Sequence, residues 1–203
     1  MHDAKYDPGY GLAYYVQPTP GRHTIASYTY LELQNLEKKF SAAPKISMVS
    51  SHKERFRYDN KGKGQMVGSC FKMIVDGAGM CLFGTEVGGN IPICEWINSA
   101  TGWDLSNDDY LVVGERILQL RHAFNVREGI NSIRDFKPHG RIYGKTPLGR
   151  GPHKGITLDM DMLAKSYYRE MHWDPETGKP ELGHLKNLGM TEVVKTFYPE
   201  AVA

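Results

Sequence analysis

Cysteine is scarce in this sequence, with only Cys70, Cys81 and Cys94 in 203 residues. None belongs to a C-x-x-C pair, and an odd count does not suit a secreted disulfide framework. No apolar run nears the roughly 20 residues that a membrane-crossing helix needs. The start, Met1-His2-Asp3, carries no signal-peptide pattern. A reducing, cytoplasmic setting is therefore the expectation. An excess of one charge is also lacking: 25 basic side chains oppose 23 acidic ones. The densest basic run, Lys53 to Lys63, also holds Glu54 and Asp59. It reads as a solvated face or loop, not a phosphate-binding stripe, so neither nucleic acid nor membrane is expected as a partner. No repeat, P-loop, dinucleotide fingerprint, HExxH pair or Ser-x-Gly nucleophile elbow is present.

Hydrophobic residues make up 40% of the chain, enough to build a core in one domain or two small, closely packed ones. Strand patterns are few, so the expected fold is all-α or α-dominated: an irregular helical bundle with long ordered loops. Residues 1–28 read mostly as loop, because Pro8, Gly9, Gly11, Pro18, Pro20 and Gly21 oppose a continuous helix. A short helix is predicted from Leu31 to Phe40. After a loop at Lys61 to Gly64, residues 65–75 suit a helix burying Met66, Cys70, Met73 and Ile74, and Pro92 to Ala100 suits another. The strongest local signal covers 106–127. Ser106 and Asp109 form a capping box, Val113, Ile117, Leu120 and Phe124 share one face that reads as core, and Gly129 supplies the stop.

Residues 130–158 read as a long ordered excursion, rich in Gly and Pro. Asp159 then caps a helix with Met160, Leu163, Tyr167 and Met171 on one side. Asp174 to Gly178 makes a turn, and Pro180 begins a short helix with Leu182, Leu185 and Leu188. Gly189 ends it, and Thr191 caps the last one.

Two segments have residue types suited to chemistry. In Asp76-Gly77-Ala78-Gly79-Met80-Cys81 the glycines permit close backbone approach, the carboxylate accepts ligand N–H donors, and Cys81 offers a soft thiolate. The bland alternative is a helix terminus with a buried cysteine. His23 follows Thr19-Pro20-Gly21-Arg22, a rigid loop that can position an imidazole for proton exchange. A structural, hydrogen-bonded histidine is the competing reading. Arg22 suits an anion or a neighbouring carboxylate equally. Asn125 to Gly129 reads as structural, with Arg127 and Glu128 fixing a helix end.

Several segments, in order, resemble the tungsten-containing aldehyde ferredoxin oxidoreductase family, in its C-terminal helical region. They are Asp7-Pro8-Gly9 running into Tyr10 to Tyr15, then Thr19 to His23, and Asp76 to Cys81, which is similar to a D-x-x-G-L-C element with Met80 for Leu. Gly114-Glu115-Arg116-Ile117, Arg121-x-x-Phe124-Asn125-Val126-Arg127-Glu128-Gly129, Tyr167-Tyr168, Trp173-Asp174, Thr177-Gly178 and Pro180 follow. Gly9 departs from the family's arginine at that turn.

The resemblance implies an enzyme that oxidises an aldehyde with water to a carboxylic acid and passes electrons to ferredoxin or another redox partner. It implies a tungstopterin, with tungsten or molybdenum on two pyranopterin dithiolenes, beside a 4Fe-4S cluster. By motif match Cys81 is a cluster ligand, Asp76 hydrogen-bonds a pterin, and Gly79 with Met80 supports it. His23 lies by the substrate. A relative acting on another oxyacid or an aromatic acyl-thioester, and a non-enzymatic helical partner domain, are the rival readings. The family's N-terminal pterin-binding domain and its upstream C-x-x-C-x-x-x-C triplet do not occur in 1–203. The chain alone is thus expected to hold no cofactor and to be inactive until a missing domain or subunit joins it; a homodimer is a further expected form.

Overall fold

A computed structural model describes residues 3–22, 24, 28–46 and 55–201. Among the described residues there are twelve α-helices and no strand, with only two isolated bridges, Leu148 with Lys154 and Trp173 with Pro180. The α-dominated expectation therefore holds. The frame is four helices: α1 (Pro8–Val16), α4 (Lys61–Gly77), α7 (Asn107–Arg127) and α10 (Met160–Glu170). The most extensive packing is α4 against α7, then α10 and α1 against α4.

Helix α1 corrects the loop reading of residues 1–28. All nine of its residues are buried. Asp7 caps it by accepting from the Gly9 amide at 2.8 Å, and Pro8 occupies the first turn. Two interior glycines cost roughly 2 kcal/mol in helix propensity. Burying Tyr10, Leu12, Tyr14, Tyr15 and Val16 outweighs that, at about 1.5–3 kcal/mol for each large apolar side chain. The glycines are also needed, since a Cβ on Gly9 would lie 2.3 Å from the Tyr28 ring.

Helix α4 begins at Lys61, not at residue 65. Lys61 is buried, which also corrects the solvated reading of the Lys53–Lys63 run at that position; residues 53 and 54 lie outside the described residues. Its ammonium reaches both oxygens of the buried Asp7, at 2.8 and 3.0 Å. Burial lowers the Lys61 pKa, while the Asp7 carboxylate pulls the other way. Gly62 lies against Ser166 and Tyr167 of α10, so a close helix contact overrides the loop-like appearance of Lys61 to Gly64. The predicted helix from Leu31 to Phe40 is split into α2 (Tyr30–Leu33) and α3 (Leu36–Lys39), because Asn35 between them is left-handed at φ 49°.

Helix α7 is capped as predicted by Ser106 and Asp109. Its buried face is different. Leu120 and Phe124 are 57% and 56% exposed, and Val113 and Ile117 only partly buried. The core side holds Tyr110, Leu111, Gly114, Leu118, Gln119, His122 and Ala123. Gly114 sets this rotation: a Cβ there would come within 2.1 Å of the Cys70 carbonyl oxygen on α4.

The polar members of that face are hydrogen-bonded, with only Nδ1 of His122 lacking a partner among the described residues. Gln119 donates to the Met171 carbonyl at 2.7 Å and accepts from the Trp173 indole at 2.6 Å. His122 stacks on Trp173 with ring centroids 3.4 Å apart, and its Nε2 lies 2.7 Å from the Gly178 carbonyl. Burial pulls its pKa down to about 4 from 6.5, against the carbonyl contact. Between those two values the unfolded chain takes up a proton that the folded one refuses, so stability falls as pH drops from 6.5 towards 4. Thermal denaturation is expected to show a decline of several degrees across that window. His122→Phe should flatten the decline; an unchanged slope would place it on other groups.

Helices α5 (Leu82–Val87), α6 (Ile93–Thr101), α8 (Ser132–Asp135) and α9 (Gly140–Tyr143) decorate this frame. The excursion over 130–158 is ordered by contacts such as Leu158 N to Tyr143 O at 2.8 Å. Asp159 caps α10 as predicted, and Met160, Leu163, Tyr167 and Met171 are all buried. Two last helices, α11 (Leu182–Asn187) and α12 (Thr191–Phe197), share a small second core with Ala123 of α7. Pro180 precedes α11 instead of starting it, and Thr191 is the first residue of α12, with Met190 at its cap.

Candidate functional site

Asp76 closes the last full turn of α4. Lys72, one turn earlier, is 3% exposed and holds Asp76 Oδ1 in an ion pair, while the Asp76 carboxylate is 42% exposed. One carboxylate oxygen is thus fixed from inside while the group stays open to solvent. The i,i+4 spacing was readable, but the burial of Lys72 was not.

Beyond Asp76 the chain turns out of the helix. The Gly79 amide donates to Asp76 O at 3.0 Å and the Met80 amide to Val75 O at 3.0 Å. Gly79 needs its glycine, at φ +69°, and a Cβ there would have nothing within 4 Å, so one side of this turn is open. Met80 packs its side chain on the core. Cys81 is exposed, which removes the buried-cysteine reading. The neighbouring α5 leaves Phe83 and Val87 66% and 88% exposed.

Cys70 and Cys94 are buried and free, and burial raises both thiols, Cys94 to about 11. Among the described residues no group of three metal-ligating side chains forms. This donor set therefore fits one corner of a metal cluster, with a single reachable thiol, and not a whole site.

His23 lies outside the described residues. The loop leading to it is tied down, with the Gly21 amide on Tyr14 O at 2.8 Å and Asn125 Nδ2 donating to Pro18 O at 2.7 Å. Arg22 is exposed. Helix α7 brings the two motif segments to one side of the molecule. Its Ile117 lies 3.6 Å from the Cβ position of Gly77, and its Asn125 holds Pro18 eight residues further on, about 12 Å along the helix. The exposed stripe of Leu120 and Phe124 lies between. Sequence reasoning assigned no role to Arg121, which stands here too: its Nη1 is 3.3 Å from Met73 Sδ on α4. The Asn125–Gly129 segment is structural as expected, with Arg127 paired to Glu128 at 2.8 Å and Gly129 turning the chain at φ +82°.

No helix among the described residues is long and apolar enough to cross a membrane. A family model described as "Aldehyde ferredoxin oxidoreductase, domains 2 & 3" matches residues 1–190. The chain is 34% identical over 134 residues to the tungsten-containing aldehyde ferredoxin oxidoreductase of Pyrococcus furiosus. It is 32% identical over 134 residues to the protein of that description from Pyrococcus horikoshii, and 31% over 134 to that from Thermococcus kodakarensis. Each alignment takes in 66% of this chain and 22% of the relative.

Proposed function

The chain belongs to the aldehyde ferredoxin oxidoreductase family, and from that we propose that it forms one wall of a tungstopterin and iron–sulfur site in an oxidoreductase. The reaction is oxidation of an aldehyde, with water, to a carboxylic acid, and the two electrons go to ferredoxin. The observation that carries this reading is the turn from Asp76 to Cys81. It offers a partly exposed carboxylate and an exposed thiol five residues apart in the chain, with an open glycine turn between them.

In this reading Asp76 accepts hydrogen bonds from the N–H edge of a pterin, and Lys72 fixes the carboxylate from behind. Gly79 and Met80 give the backbone a close approach. Cys81 is one thiolate of a four-cysteine cluster set, and the other three come from outside this chain. The metal and dithiolenes supply the redox chemistry when bound. His23, two residues beyond Gly21 in the sequence, positions substrate or exchanges a proton with it. The exposed Phe83, Val87, Leu120 and Phe124 face the rest of the assembly. The chain spans about a fifth of the length of its relatives, which leaves a preceding domain or subunit to supply the remainder.

The test is co-expression with a segment carrying the missing cysteine triplet, followed by iron and tungsten analysis. Cys81→Ala is expected to abolish or greatly reduce iron in the purified assembly, with folding of this chain unchanged because the thiol is exposed. Iron content equal to the parent's would remove Cys81 from the cluster.

A further inference from the structure

We infer that two surfaces of opposite charge join one copy of this chain to another head to tail, with the basic 136–158 excursion of one copy on an acidic block of the next. The near balance of charge over the whole chain hides this division. Between Asp135 and Asp159 there are five Lys and Arg side chains and no Asp or Glu. Between Lys72 and Arg116 there are seven Asp and Glu side chains and no Lys or Arg. Charge segregated in this way sets up opposed fields, which steer each surface towards one of the other sign.

The basic surface is held in shape by its own backbone. Lys137, Arg141, Lys145, Arg150 and Lys154 are all exposed. The Lys145 amide donates to Gly140 O at 2.9 Å, and the Gly155 amide to Leu148 O at 3.0 Å. The outward and returning arms touch at Gly144, where a Cβ would lie 2.1 Å from Ile156 O. Thr157 Oγ1 donates to Gly144 O at 2.8 Å. Leu148, exposed among the cations, adds an apolar anchor. A surface ordered in advance loses little conformational freedom on binding.

The acidic block is also one piece. Asn98 of α6 accepts from the Tyr110 hydroxyl on α7 at 2.6 Å and donates to Leu105 O at 2.9 Å. Those bonds gather the exposed Glu95, Asp104, Asp108 and Asp109, with the exposed rings of Trp96 and Trp103 among them. Asp108 accepts from the Ser41 amide and Asp109 caps Ser106, but both carboxylates keep their charge at the surface. Lys39 acts on Glu95 while donating to the Ile91 carbonyl at 2.6 Å. Tryptophan and arginine are the side chains most enriched where protein contacts are strongest.

The fold keeps the two surfaces apart within one chain. The basic excursion runs into α10 and rests on Lys5 ahead of α1, whose ammonium lies 3.4 Å from Arg141 O. The acidic block stands on α6 and the first turn of α7. Helix α4 packs against α7 and, separately, against α1 and α10. A contact between copies therefore leaves one surface of each sign free, which is the heterologous arrangement that builds rings or filaments. None of these residues belongs to the Asp76–Cys81 turn, so the contact goes beyond the proposed function.

Sedimentation velocity of the whole 203-residue chain is the test. At about 10 mM salt, where charges act over about 30 Å, species larger than the monomer are expected. They should dissociate at about 1 M, where that length is about 3 Å. Arg150→Glu with Lys154→Glu reverses part of the basic surface, and Glu95→Lys with Asp104→Lys part of the acidic one. Each double variant alone is expected to raise the Kd about tenfold or more. Mixing the two variants should restore association, because each brings an intact surface that the other lacks. Thermal midpoints should stay near the parent's, since all four side chains are exposed.

A parent chain that is monomeric at about 10 mM salt and about 100 μM overturns the contact. So does association that persists at about 1 M salt and in both variants, or a mixture that stays monomeric. A monomeric parent that binds polyglutamate through Arg150 and Lys154 gives the basic surface to another acidic protein and likewise overturns it. None of these measurements needs metal, so failure here is separable from failure of the iron and tungsten analysis.

Discussion

A Lys61→Met variant is expected to lose about 3–5 kcal/mol of folding stability, the usual cost of stranding one partner of a buried ion pair. Asp7 is 0% exposed, and both its oxygens are served by Lys61. Without the ammonium, Asp7 keeps the Gly9 amide at 2.8 Å but loses its counter-charge, and a charged carboxylate remains in the core. The urea midpoint should fall accordingly. Adding Asp7→Asn to Lys61→Met should recover a large part of the loss, because the asparagine still caps α1 and no lone charge remains. Arg57→Ala, which breaks the exposed Arg57–Asp59 pair, is the control, expected to cost roughly 0–1 kcal/mol. A Lys61→Met loss no larger than the control's would show that the Asp7 pair is solvated in the folded protein.

Gly114→Val is expected to be the second most damaging change, at roughly 3 kcal/mol or more, the upper end for overpacking a core. The obstacle is backbone. The new Cβ would meet the Cys70 carbonyl oxygen at 2.1 Å and its carbon at 2.8 Å, so neither can rotate away. Helices α4 and α7 would have to separate. That would loosen Ile117 from Gly77 and disturb the Asp76–Cys81 turn as well as the core. Gly183→Val is a useful comparison, since nothing lies within 4 Å of its Cβ position. Thermal midpoints should differ widely between the two variants, and similar midpoints would mean that the two helices cross at a greater distance.

Much of the candidate site was legible because its signals are local or are carried by a long ordered series of motifs. Asp76, Gly79 and Cys81 fall on one open turn, as a short D-x-x-G-x-C segment allows. Lys72 became visible only through its burial. Arg121 stood in a quoted motif without a role, and its contact with the Met73 sulfur on α4 is visible only in the fold.

Sequence by itself determined the helical class, the Ser106–Asp109 and Asp159 caps, the stops at Gly129 and Gly189, and the buried side of α10. Those depend on hydrogen bonds and side-chain periodicity within one or two turns of chain. Tertiary structure alone decided that residues 8–16 are helical and that Leu120 and Phe124 lie outside the core. In the first case burial of five large side chains overrides the glycines. In the second, the contact of Gly114 with α4 sets the rotation of α7, and the partners of Gln119 and His122 make a polar side the buried one. The exposed face left by that rotation is the ground between the two motif loops.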